Sequence, residues 1–222
     1  MSLKEQLAGY RAGWYQRVPA ERQAIMQRHI DELRAGTIAR TTLKVGDQAP
    51  PIVLKNAKGT TVDVGALIKK GPVVVTFYRG GWCPYCNLQL RAYQQALGEI
   101  TALGAKLVAI SPQLPDGSMS TAETNRLSFD VLSDVGNRVA RSFGLVYSLP
   151  QELRAALTSN NKALPGINGD NSWELPLPAT YVLAPDRKIA LAEIELDYRE
   201  RLEPDAIVAA LRALRPDATK AA

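Results

Sequence analysis

Cysteine and histidine are nearly absent from this chain, which has two cysteines and one histidine in 222 residues. That scarcity excludes a structural zinc site held by one chain, because the tetrahedral set of Cys and His ligands cannot be filled. It equally excludes the disulfide framework of a small secreted domain. No stretch approaches the roughly 20 apolar residues of a membrane-spanning helix. The opening Met1-Ser2-Leu3-Lys4-Glu5-Gln6 has no apolar signal core and no cleavage pattern, so a cytoplasmic protein is expected. The formal charge is +5, yet no dense basic block is interleaved with aromatics. Lys and Arg are spread among Asp and Glu, which fits a solvated surface and no nucleic-acid partner. Repeats and low-complexity tracts are absent too. With 46% hydrophobic residues, the chain can bury one domain and an appendage.

Residues 1–42 are expected to form a helical extension ahead of a domain spanning 43–222. Leu3, Leu7, Tyr10 and Trp14 share one helical face, and after Pro19 a second stripe holds Met26, Ile30 and Leu33. Two short amphipathic helices cannot bury themselves, so they must cover their own domain or a second subunit, and a homodimer is one outcome. His29 lies within the second helix with no catalytic signature around it and is expected to pack or to be exposed.

In the main domain, Ile52–Leu54 and Thr60–Val62 read as a hairpin around Ala57-Lys58-Gly59. Pro72–Tyr78 is a β-branched run suited to a strand buried on both faces. A helix from Pro84 to about Leu97 follows, then a strand over Lys106–Ser111 and helices around Ala122–Leu127 and Asn137–Phe143. Ala179–Leu183 and Lys188–Glu193 form a second hairpin, and a helix over Pro204–Leu214 closes the chain. This order predicts an α/β fold, a mixed central sheet flanked by helices. The segment 149–177 reads as a long loop, of the kind that covers an active site.

Both cysteines stand in Trp82-Cys83-Pro84-Tyr85-Cys86, between a strand and a helix. Buried structural thiols would also satisfy a cysteine, but they do not explain why both fall at one helix start. Redox chemistry does. Residues three apart in a first helical turn lie within disulfide reach. The helix N-terminus directs unpaired N–H groups and partial positive charge at the first cysteine, which favours Cys83 as the thiolate. Thiol pKa values in such places fall to about 3.5–7.5. Pro84 suits the first helical position, where its missing N–H costs little. Arg79 either adds positive charge or is a solvated loop residue. Trp82 and Tyr85 supply an apolar rim for a partner or for packing. No metal and no cofactor is implied.

The run Phe77-Tyr78-Arg79-Gly80-Gly81-Trp82-Cys83-Pro84-Tyr85-Cys86 resembles the redox motif of thioredoxin-like proteins. The wider chain resembles the peroxiredoxin-like branch of the alkyl hydroperoxide reductase/thiol-specific antioxidant family. Val45–Pro50, Phe129–Asp134, Asn137–Gly144 and Leu177–Val182 carry that likeness over about residues 43–215. It implies a thioredoxin-like fold. It also implies a thiol peroxidase cycle between Cys83 and Cys86, with thioredoxin or another thiol as electron donor.

Departures from the family pattern leave the direction of the chemistry open. Peroxiredoxins carry Thr or Ser three residues before the attacking cysteine, where this chain has Cys83, so the peroxiredoxin register makes Cys86 the nucleophile. The thioredoxin register makes it Cys83. The place of the peroxiredoxin arginine is taken by Pro178, which matches the cis-proline of thioredoxins. Arg199 or Arg201 either replaces that arginine or lies exposed. Thr76 stands where thioredoxins often bury an acid. Three readings follow: a thiol peroxidase, a protein-disulfide reductase in which Cys83 attacks and Cys86 resolves, and a redox-sensing or binding module without fast turnover.

Overall fold

The computed structural model describes residues 1–215; the end of the expected 43–222 domain lies outside them. Helices α1 (Leu3–Arg17), α2 (Ala20–Ala35) and α3 (Ile38–Thr41) come first. The hairpin β1 (Val53–Asn56) and β2 (Thr61–Asp63), then α4 (Val64–Ile68), β3 (Val73–Phe77), α5 (Pro84–Ala102) and β4 (Lys106–Ser111) follow. Next are α6 (Pro115–Thr124), β5 (Asp130–Ser133), α7 (Arg138–Ser142) and β6 (Val146–Ser148). The chain continues through α8 (Gln151–Thr158), α9 (Leu164–Asn168), β7 (Glu174–Pro176), β8 (Ala179–Leu183), β9 (Ile189–Ile194) and α10 (Pro204–Ala213).

Seven strands form one mixed sheet in the order β2-β1-β5-β4-β3-β8-β9. β3 runs parallel to β4 and antiparallel to β8, so its backbone is paired on both edges. Its side chains alternate between two cores, as the period of two requires. Val73, Val75 and Phe77 face the cluster built with α4, α7 and α8, whereas Val74 faces the one built with α1, α5 and α10. α5 buries Leu90, Tyr93 and Ile100 completely, each contributing about 1.5–3 kcal/mol of transfer free energy. It ends where Gly104, at φ +82°, takes the left-handed conformation that stops a helix without a Cβ penalty.

The N-terminal helices cover their own domain. Leu3, Leu7 and Ile30 are buried in the second cluster, and α1 starts with a capping box between Ser2 and Glu5.

Two expectations are corrected here. Segment 149–177 is not a bare loop: it holds α8, α9 and β7, and β7 pairs with β6 in a separate two-stranded sheet. Its prolines hid that strand, because a strand proline is tolerated at an edge and both strands of this two-stranded sheet are edges. The helix expected over Ala122–Leu127 begins instead at Pro115 and ends at Thr124. Gly117, Ser118 and Ser120 are poor helix formers, but Pro115 occupies the first turn, and the buried hydroxyls of Ser118 and Thr121 are hydrogen-bonded to Ser133 and to the Gly117 carbonyl.

Candidate active site

The site is assembled where β3 runs out and α5 begins. Gly80 makes the turn at φ +144°, a backbone conformation that L side chains rarely adopt, and a Cβ there would collide with the Trp82 indole. Cys83 is the N-cap of α5, Pro84 opens the helix, and Cys86 completes its first turn. Both thiols are free and buried, Cys83 being 1% exposed and Cys86 fully enclosed.

Arg201, from the turn between β9 and α10, reaches Cys86. Its Nη2 donates to the Cys86 Sγ at 3.3 Å, its Nε to Gln89 Oε1 at 2.8 Å, and its Nη1 to the carbonyls of Tyr198 and Glu200. Gln89 is held in turn by the Tyr93 hydroxyl, to which its Nε2 donates at 3.0 Å, and Tyr93 sits beside Thr180. Thr76, buried in β3, shares a hydrogen bond with Thr180 at 3.0 Å. The position where thioredoxins often carry an acid therefore contributes a neutral hydroxyl to the mount of Arg201.

Arg79 is also buried, which corrects the solvated-loop reading. Its Nη1 lies 4.0 Å from the Cys83 sulfur. Its guanidinium is sandwiched at 4.9 Å from the Trp82 ring and 4.3 Å from the Tyr198 ring. Tyr85 meets Tyr198 and Tyr10 edge-on, so the apolar rim expected of Trp82 and Tyr85 is a packed aromatic cluster. Arg199 and Arg201 are 3% and 8% exposed, so neither is a surface residue. Arg199 does not reach a sulfur; it pairs with Asp197 through two bonds of 2.7 Å. His29 is buried and tilted against Tyr147, and burial together with the Arg79 charge holds it below the usual imidazole range.

These charges split the thiol pair. Burial pushes the Cys83 thiol well above its ordinary range, as does its hydrogen bond to Cys86. Burial acts on Cys86 in the same sense, but the bond from Cys83 and the charges of Arg201 and Arg79 outweigh it and bring Cys86 well below the usual thiol range. The geometry agrees, since the closer guanidinium belongs to Cys86.

A cavity of ≈ 110 Å³ opens beside Cys83, between the aromatic cluster, α1 and α8. Arg79, Trp82, Pro84 and Tyr85 line it with Cys83. So do Ala156 and Leu157 of the 149–177 segment, which thus stands over the site. Pro178 is not among the lining residues. Every peptide bond among the described residues is trans, so the expected cis bond at Pro178 is not present. Pro178 is buried, and its carbonyl accepts from the Glu195 N–H at 2.9 Å. The described residues contain no cluster of three or more His, Cys, Asp or Glu that could hold a metal. No helix among them is long and apolar enough to cross a membrane.

Sheet order and a cysteine pair at the start of the helix after the central strand define a thioredoxin-like protein. The chain belongs to the AhpC/TSA family, whose model matches residues 45–192. Chloroplastic peroxiredoxin Q of Sedum lineare is 33% identical over 113 residues, covering 51% of this chain and 60% of that protein. The match to peroxiredoxin Q of Populus jackii covers only 46% of that protein, so the chain spans about half the length of these curated relatives. A putative peroxiredoxin of Mycobacterium tuberculosis is 26% identical over 173 residues, covering 78% of this chain and 99% of its own. Among solved structures, peroxidoxin BcpB from Mycobacterium tuberculosis superposes with a TM-score of 0.62 at 25% identity, covering 78% of this chain and 99% of that one. The peroxiredoxin-like protein from Aquifex aeolicus has the same fold, with a TM-score of 0.61 at 19% identity over 78% of this chain and 89% of that one.

Proposed function

We propose that the protein is a thiol-dependent peroxidase in which Cys86 attacks and Cys83 resolves. The observation that carries this reading is the 3.3 Å bond from Arg201 to the Cys86 sulfur, which favours the thiolate at Cys86 over the one that the helix start alone would favour at Cys83. The Cys86 thiolate attacks one peroxide oxygen; the O–O bond breaks and the departing alkoxide takes a proton to leave as an alcohol. Cys86 is then a sulfenic acid. Cys83 loses its proton and attacks that sulfur, hydroxide leaves as water, and a disulfide forms. Thioredoxin or another thiol returns the pair to the dithiol by exchange. Arg201 and Arg79 stabilise negative charge on sulfur before the attack and on the departing oxygen during it. In the same reading residues 1–42 are an extension that walls the site of the 43–222 domain, and the reducing cytoplasm suits the cycle.

Protein-disulfide reduction is the second reading. Cys83 lines the cavity and Cys86 does not, so a substrate disulfide entering there meets Cys83 first. Peroxide consumption with thioredoxin and its reductase, measured beside reduction of insulin disulfides, separates the two. Peroxide turnover without insulin reduction supports the peroxidase; the reverse overturns it.

A further inference from the structure

The cavity beside Cys83 has a positively charged lining. Arg22, Arg79 and Lys162 line it, and no Asp or Glu does. Arg79 is 4% exposed, and its neighbours are tyrosines, Trp82 and the two cysteines, with no carboxylate in ion-pair contact among the described residues. With Cys86 as the thiolate, the guanidiniums of Arg79 and Arg201 face a single anion, leaving one positive charge to spare in a buried site. A buried cation ordinarily has a partner.

Hydrogen-bond donors are left over at the same place. Arg79 Nε, Trp82 Nε1 and the Tyr85 hydroxyl are buried and have no partner, and all three residues line the cavity. Buried polar groups are rarely left unpaired in a folded protein. These three atoms are closed off, the Trp82 N–H lying against Gly80, so what opens to a ligand is the cationic lining with aromatic walls around it.

We infer that this cavity is a carboxylate-binding subsite, in which Arg79, set between the Trp82 and Tyr198 rings, holds the anionic end of a small organic hydroperoxide or thiol beside the cysteine pair. The naming of those two ligand classes rests on the peroxidase reading; the anion site itself does not. At ≈ 110 Å³ the cavity is smaller than the roughly 150 Å³ cavity that accepts benzene, so the ligand is of acetate or propionate size.

The test uses matched pairs. Hydroperoxyacetate is compared with n-propyl hydroperoxide as oxidant, and mercaptoacetate with 2-mercaptoethanol as reductant at equal thiolate concentration. Acetate binding is titrated separately by calorimetry on the reduced protein. A charge-assisted contact predicts a kcat/KM preference of about tenfold or more for the anionic member of one pair. That preference should collapse in Arg79→Gln and partly return in Arg79→Lys. Preference in the oxidant pair assigns the site to the hydroperoxide; preference in the reductant pair assigns it to the thiol. Acetate binding that is lost in Arg79→Gln, with no turnover of either peroxide, overturns the peroxidase reading and keeps the site. No preference in either pair and no acetate binding to the wild-type protein overturns the site, whatever the variants do.

Discussion

Arg201 lies 115 positions from Cys86 in sequence and donates to its sulfur at 3.3 Å. That contact, mounted on Gln89, joins the hydrogen bond from Cys83 and the Arg79 charge in favouring the Cys86 thiolate against the cost of burial. Replacing Arg201 by Met should raise the Cys86 pKa and lower kcat/KM for hydrogen peroxide about 10- to 100-fold, the worth of one hydrogen bond to a charged group. Thiolate absorbance and alkylation rate against pH provide the check. In the wild type, peroxide reactivity should hold well below the ordinary thiol pKa of about 8.5 and fall as pH drops through the lowered value. The variant should lose reactivity at higher pH than the wild type.

Single cysteine variants decide the direction of the cycle. Cys83→Ser should react once with peroxide and accumulate a sulfenic acid that dimedone traps at Cys86. Cys86→Ser should lose fast peroxide reaction altogether. A trapped sulfenic acid on Cys83 in the Cys86→Ser protein, formed at the wild-type rate, would reverse the assignment.

The ion pair of Asp197 with Arg199 ties the extension to the site. Both side chains are almost fully buried, and Arg199 also donates to the Tyr15 hydroxyl of α1 at 3.0 Å and to Gln27 Oε1 of α2 at 2.9 Å. Asp197→Ala leaves the buried guanidinium unpaired and should cost about 3–5 kcal/mol. Tyr15→Phe removes one hydrogen bond and should cost about 0.5–1.5 kcal/mol. Urea unfolding measures both.

Glu195 gives the fold a pH dependence of its own. Burial, with repulsion from Glu193 and Glu200, pushes its carboxyl up to about 7. A raised folded pKa means stability that is fully present below the unfolded value near 4.3 and is lost as pH rises through about 7. Glu195→Gln should therefore be more stable than wild type at pH 8 by about 1–3 kcal/mol, solvent screening included. The two proteins should converge near pH 4. Thermal unfolding across that range tests it, and a wild type that is stabilised between pH 5 and 8 relative to the variant refutes it.

The strands and the cysteine turn were legible in the sequence because their signals are local. Val73–Phe77 is a β-branched run, and the hairpin of β8 and β9 is two largely apolar runs about a short turn. Cys83-Pro84 at a helix start follows from backbone chemistry alone. What sequence reading could not reach was every contact made across the fold. Arg199 and Arg201 are two residues apart with the same side chain, yet one holds a carboxylate and the other a sulfur. The partners that decide this, Gln89, Tyr93 and Thr180, come from α5 and β8. Asp197, by contrast, stood within a turn of Arg199 and was a local signal that could have been read. Pro178 misled for a related reason: a proline next to a strand says nothing by itself about whether its bond is cis or trans.

The wall over Cys83 has a consequence for how the cycle closes. Both cysteines are at most 1% exposed, and residues of α1 and α8 stand around the opening, so in the peroxidase reading the site should favour small molecules. A molecule of a few atoms fits the space beside Cys83, whereas a folded reductant is wider than the opening between the lining residues and would need them to move. On the proposed cycle the electron donor should therefore be selected by size as well as by reduction potential, a small thiol reducing the pair faster than a folded one of equal potential.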